Sequence, residues 1–152
     1  MASGHWLLGA AEDRDRAQDA WQVGGVAMLR CGGLFSAVRI PEARIHDAVL
    51  SRDRAEIDRS LAQRLEGGPV ICDRFAGWYY ALVPASVARR WETPDTVCLG
   101  VGSLLGVPEP ETVEDSGHRI YWSVPMDSPA TLCHPSAVSG TITAGVPGAV
   151  SR

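Results

Sequence analysis

No lysine and no asparagine occur in the 152 residues, and all fourteen basic side chains are arginines. The lack of lysine excludes a Schiff-base lysine, a lysine general base and the lysine of a GxxxxGK[ST] phosphate loop. Arginine stays protonated and cannot take over those roles. Together with abundant Ala, Gly, Pro and Val, this bias points to a GC-rich genome of the actinobacterial kind. Closely spaced cysteines are missing too: Cys31, Cys72, Cys98 and Cys133 contain no CxxC, whereas zinc favours ligand pairs two to four residues apart. No apolar run approaches the roughly 20 residues of a membrane span, and the N-terminus lacks the basic start of a secretory signal. The expectation is a cytoplasmic chain with no membrane contact, no cofactor and no metal, its thiols reduced and buried as small hydrophobes. GxSxG and HExxH are absent, and the one cysteine beside a base, Cys133 next to His134, cannot easily turn both groups to one substrate.

What is present describes an ordinary globular chain. With 45% hydrophobic and 21% charged residues, its length suits one domain with its own core. A net charge of −4 argues against binding nucleic acid over a whole surface but leaves room for a local arginine stripe.

Along the chain, Ser3 caps an expected helix running to about Trp21, with Trp6, Leu7, Ala10, Ala17 and Trp21 on one side and a solvated charged face at residues 12–16. Gly24-Gly25 ends it. Two apolar runs, residues 26–30 and 34–40, flank Cys31-Gly32-Gly33 and read as a β-hairpin. Pro41 opens an amphipathic stretch to Leu65, one or two helices with a break near Ser51, stopped by Gly67-Gly68-Pro69. Residues 70–73 and 78–83 read as a second hairpin. A short helix or turn at 86–91, short strands at 96–99 and 103–107, a polar acidic loop with Glu109, Glu111, Glu114 and Asp115, a strand at 120–124 and a helix beginning near Cys133 follow. From Gly140 the chain carries almost no charge and reads as a flexible tail, residues 140–152, after a domain of residues 1–139. The elements do not alternate as βαβα, so the fold class is α+β with a mainly antiparallel sheet and packed helices.

Several stretches, in order, resemble the N-terminal domain of bifunctional DNA primase/polymerases of the archaeo-eukaryotic primase class, and more closely its reduced form in short actinobacterial proteins. They are the helix ending in Trp21, the strand at residues 35–40, GGPVICDRFAGWYYALVP from Gly67, VCLGVGSLLGVPEP from Val97 and YWSVP from Tyr121. The resemblance implies a primase/polymerase-like single domain. It also implies an acid pair on the strand that here reads Phe35-Ser36-Ala37-Val38-Arg39-Ile40-Pro41, and a phosphate-binding histidine on the second hairpin. Two-metal nucleotidyl transfer needs carboxylates close enough to hold both ions, and Mg²⁺ demands oxygen ligands. This strand has no acid and carries Arg39, a cation that repels metals. An aromatic stands at the histidine position, in Trp78-Tyr79-Tyr80. His5, His46, His118 and His134 all lie elsewhere.

The implied function is therefore a catalytically degenerate domain that binds nucleic acid or nucleotide, or regulates by binding. Candidate ligand-binding residues are Arg39, Asp73, Arg74, Trp78, Tyr79, Tyr80 and Arg119. Arginine beside aromatics on a sheet face can stack bases, although alternate positions of a strand fill a core equally well. His118-Arg119 could meet phosphate or simply be solvated, and Arg89-Arg90-Trp91 reads as a solvated helix end. The alternatives are a protein-interaction module with no nucleic-acid role, and an active nucleotidyltransferase with relocated acids, Glu42 and Asp73.

Overall fold

A computed structural model of the chain describes residues 2–113 and 117–144. Among these, five α-helices and seven strands form an α+β domain with two antiparallel sheets. In chain order the elements are α1 (Ala2–Leu8), α2 (Arg14–Gly24), β1 (Val26–Arg30), β2 (Ser36–Pro41), α3 (Glu42–Val49), α4 (Arg54–Arg64), β3 (Val70–Asp73) and β4 (Trp78–Val83). A short 3-10 helix (Ala85–Arg89), β5 (Val97–Leu99), β6 (Leu104–Pro108), β7 (Ile120–Val124) and α5 (Pro135–Ala144) complete it.

The large sheet has the order β5-β2-β4-β3-β7. β3 turns back into β4, which inserts between β2 and β3, a split β-α-β arrangement. One face carries Val38, Val70, Cys72, Tyr79 and Tyr121 against Ile45, Ile57, Leu61, Val138 and Ile142 of α3, α4 and α5. The opposite face carries Ala37, Ile71, Leu82 and Trp122 against α1, α2 and the β1–β6 ribbon. Buried indoles there are satisfied: Trp21 Nε1 donates to the Val107 carbonyl at 2.9 Å and Trp122 Nε1 to the Glu109 carbonyl at 3.1 Å.

Local signals place α3, α4 and the β3–β4 hairpin as read. Leu50 takes the left-handed conformation (φ 58°) after α3, and the Asp53 carboxylate caps α4 by accepting from Glu56 N at 3.0 Å.

Three expectations are corrected. The single helix from Ser3 to Trp21 is two. The chain leaves α1 through tight turns at Gly9, Ala10 and Ala11, and Asp13 caps α2 by accepting from Arg16 N at 3.2 Å. Ser3 caps nothing; its buried hydroxyl donates to the Met126 carbonyl at 2.9 Å.

The runs around Cys31-Gly32-Gly33 are not a hairpin, for β1 pairs with β6 and β2 with β4 and β5. β1 is buried on one face only, Ala27 and Leu29 inward, Met28 and Arg30 outward, which suits a covering ribbon. β2 is buried on nearly every residue, which suits the interior of a sheet covered on both faces.

Finally, α5 continues past Gly140 to Ala144 with Thr141 and Ile142 buried, so residues 140–144 belong to the core. Their threonine hydroxyls bond back to the helix, Thr141 to Ala137 O and Thr143 to Ser139 O, which lets an uncharged, β-branched segment stay helical. The rest of the expected tail, residues 145–152, and Glu114 and Asp115 lie outside the described residues.

Candidate anion-binding cleft

Ladder parity decides which side chains share a face. Arg39 stands opposite Tyr80 and Pro41 opposite Trp78, so Trp78 is the diagonal same-face neighbour of Arg39. The half-buried Arg39 guanidinium lies over the Trp78 ring, 4.6 Å from its centroid, a contact of about 0.5–2 kcal/mol. Trp78 in turn stands opposite Asp73 on β3.

Arg39, Tyr80 and Asp73 border a cleft of about 360 Å³ between the large sheet and the ribbon. Arg39, Tyr80 and Asp73 come from the sheet, with Leu99 and Ile120 from its outer strands. Met28, Leu104 and Gly106 form the ribbon wall, beside Ser103. Met28 and Leu104 are 57% and 53% exposed, an unusual apolar display that gives the cleft one greasy side. The volume lies in the range of small-molecule sites.

Charge in the cleft is uneven. Asp73 is 8% exposed, and its Oδ1 accepts from Phe75 N at 3.2 Å and Ala76 N at 3.0 Å, closing the β3–β4 turn. The same oxygen accepts from Arg119 Nε at 3.2 Å, and Arg119 also lies 5.7 Å from the Phe75 ring centroid. Asp73 is thus fully engaged. Arg30 pairs with Glu12, Arg44 with Asp95 and Arg119 with Asp73. Among the described residues no carboxylate pairs with Arg39. The Tyr80 phenol is held above its ordinary pKa by burial first and then by the Asp73 charge, while Arg39 pulls it down. Both charges therefore act on one hydroxyl.

Of the seven expected residues, Arg39, Asp73 and Tyr80 line this cleft, Trp78 lies under the Arg39 guanidinium and Arg119 reaches Asp73 from outside. The other two lie elsewhere. Tyr79 projects to the helix-side face, 1% exposed, because it alternates with Trp78 and Tyr80; reaching a ligand there requires opening the core. Arg74 packs over Tyr121 on that same side, 5.0 Å from the ring centroid. Behind the sheet, Arg54 donates to Tyr121 Oη at 3.3 Å and Ser123 Oγ to Asp58 at 2.5 Å. Burial raises the pKa of Cys72, Tyr79 and Tyr121, so these groups stay protonated and structural.

The ribbon wall was not identified from sequence. The outward alternation of Met28 and Arg30 in β1 was its one available signal.

Glu42 opens α3 with its carboxylate against Gly77, while the Asp73 oxygens are engaged by turn amides and Arg119. Among the described residues no three His, Cys, Asp or Glu side chains converge. Cys133 is buried with its thiol on the Pro69 carbonyl, whereas the exposed His134 ring bonds Ser136, so that pair points apart. Larger hollows of about 740 Å³ beside Gly32-Gly33 and about 570 Å³ between α1, α2 and Glu109 hold no half-buried cation. Among the described residues no helix is long and apolar enough to cross a membrane. No protein-family model, no curated protein and no solved structure matches the chain.

Proposed function

We propose that this chain is a non-catalytic binding module that takes a nucleotide or single-stranded nucleic acid in the cleft between β2–β4 and the β1–β6 ribbon. The observation that carries the reading is Arg39: half-buried, its guanidinium 4.6 Å over the Trp78 ring centroid, lining the cleft and without a carboxylate partner among the described residues. A fixed planar cation with free donors suits a phosphate, and the apolar wall of Met28 and Leu104 beside Tyr80 suits a base. The resemblance of the segment order to primase/polymerases supports the same ligand class, and the missing acids support binding without catalysis.

Fluorescence anisotropy with a labelled oligothymidylate, competed with mononucleotides, tests it. Arg39→Met is expected to lower affinity about ten- to a hundred-fold, the worth of a charge-assisted hydrogen bond. Primer extension with Mg²⁺ or Mn²⁺ is expected to give no product. Binding that is indifferent to Arg39 and to salt refutes the reading, and extension abolished by Glu42→Ala refutes its non-catalytic half.

The exposed side chains of Met28, Val97, Val101 and Leu104 favour a second reading, a protein-interaction surface. That reading survives if a partner is captured through Met28 and Leu104 while no phosphate-bearing probe binds.

A further inference from the structure

The charges around the cleft are arranged in a chain rather than scattered. Asp73 pairs with one cation, Arg119, and lines the cleft together with a second, Arg39. Arg119 reaches the carboxylate from outside the cleft, with Nε at 3.2 Å from Oδ1 and Nη2 at 3.5 Å from Oδ2. Arg39 lies on the inner side and lines the same cleft with Tyr80. The Arg119 side chain is 57% exposed and Asp73 only 11%, so the carboxylate is the buried member of the pair. With the Arg119 side chain more than half exposed, solvent screens the pair, and it contributes little to stability, about 0–1 kcal/mol. The electrostatic consequence inside the cleft is larger. With Arg119 in place, the three side chains carry one net positive charge, and it resides on Arg39. Without Arg119 the sum is zero, and the cleft that Arg39 lines also holds a buried carboxylate without its ion-pair partner.

We propose that Arg119 is a positioning residue that keeps Arg39 available to an anion by occupying Asp73, without itself touching the ligand. The inference rests on the reading of the cleft as a site for a phosphate-bearing ligand. Both Asp73 and Arg39 act on the Tyr80 phenol, one raising and one lowering its pKa, so the two opposite charges share one small volume. Arg119 meanwhile stacks over Phe75, which is 76% exposed at the hairpin turn; this holds the guanidinium outside the cleft.

The test is a four-variant series read with inorganic phosphate and a labelled oligothymidylate as probes: Arg39→Met, Arg119→Gln, Asp73→Asn and the double variant Asp73→Asn/Arg119→Gln. Asparagine keeps an Oδ1 to accept from Phe75 N and Ala76 N, so the turn survives, and unchanged circular dichroism and urea midpoint confirm it. Arg119→Gln is expected to weaken binding on the order of ten-fold, as a one-charge change does at an effective dielectric near 20. Asp73→Asn alone is expected to bind at least as tightly as the wild type. The double variant, which again leaves Arg39 as the single net charge, is expected to return to within about two-fold of the wild type. That rescue separates an indirect role from a direct one.

A double variant as weak as Arg119→Gln means that Arg119 contacts the ligand, and overturns the inference. So does Arg119→Gln at wild-type affinity while Arg39→Met has lost binding; in that case the cleft reading stands and the inference alone fails. Absence of binding of either probe to the wild type overturns the cleft reading and the inference with it.

Discussion

Replacing Ile142 with alanine tests whether residues 140–144 belong to the core or to a tail. Ile142 is 1% exposed and sits in the cluster formed by α3, α4, α5 and the helix-side face of the large sheet. Losing three carbons removes about 2.4 kcal/mol at about 0.8 per buried carbon, and an unfilled cavity adds to it; measured costs of such truncations run about 2–5 kcal/mol. Alanine regains about 0.4 kcal/mol as the better helix former. The net expectation is a loss of about 2–4 kcal/mol. For a chain of this size that lowers the melting temperature by about 5–15 °C, and the urea midpoint by about 1–2 M. Urea unfolding followed by circular dichroism, with tryptophan fluorescence as a second probe, measures it. Thr143→Ala is the control on the same helix: that side chain is exposed, and its loss should stay within about 0.5 kcal/mol. If Ile142→Ala also stays within about 0.5 kcal/mol, the helix is not docked and the packing described here is refuted.

Three further outcomes are expected. Gly68→Ala places a Cβ 2.6 Å from the Cys133 thiol and 2.8 Å from its Cα, so backbone must move; a loss of about 1–3 kcal/mol in urea unfolding is expected, and no loss contradicts the close approach. Stability should fall at alkaline pH. Burial pushes Cys31 and Cys98 up to about 11 and Cys133 to about 12, from an ordinary value near 9.0. Each folded pKa is raised, so the contribution is complete below about pH 9 and is lost as the pH rises through 11 and 12, where the unfolded thiols have already ionised. A urea midpoint that stays flat between pH 7 and 11 contradicts that burial. Gly106→Val fills the cleft from its ribbon side, since a Cβ there meets Val26 at 3.3 Å, Met28 at 3.7 Å and Ile120 at 3.8 Å. Oligothymidylate affinity should drop at least about ten-fold while the fold persists, and undiminished affinity would place the ligand elsewhere.

Local chemistry made much of the fold legible. Asp53 at the start of α4, Gly67-Gly68-Pro69 at its end and the Asp73–Gly77 turn each determine their own conformation with neighbours a few residues away. The pairing of β1 was not legible, because Val26 meets Pro108 across most of the chain, and adjacency in sequence suggested the wrong partner. Likewise α5 hid behind an uncharged, glycine-containing run whose apolar stripe, Val138, Thr141 and Ile142, becomes recognisable only against the helices it covers. At the candidate site the residue types were legible but their parity was not. Trp78, Tyr79 and Tyr80 are consecutive, and a strand sends alternate side chains to opposite layers. Nothing in the order of the letters says which layer is solid and which is cleft.

The same parity gives the missing acids a physical meaning. On the resemblance to primase/polymerases, the strand that became β2 is where carboxylates would gather metal ions, and the ions would in turn gather phosphates. Arg39 stands on that strand on the cleft side, supported by Trp78 and opposed by no carboxylate among the described residues. If the proposed reading holds, a guanidinium in place of acids inverts the sign of the site: it would repel metal ions and could meet phosphate oxygens directly, in bidentate geometry. On the proposed function, such a site would hold a phosphate but offer nothing to activate a nucleophile or to stabilise a leaving oxygen through a second ion. Under that proposal, absent catalysis and anion binding would follow from one and the same substitution. The Asp73–Arg119 pair fits that proposal, since an unpaired carboxylate lining the cleft with Arg39 would weaken its preference for anions.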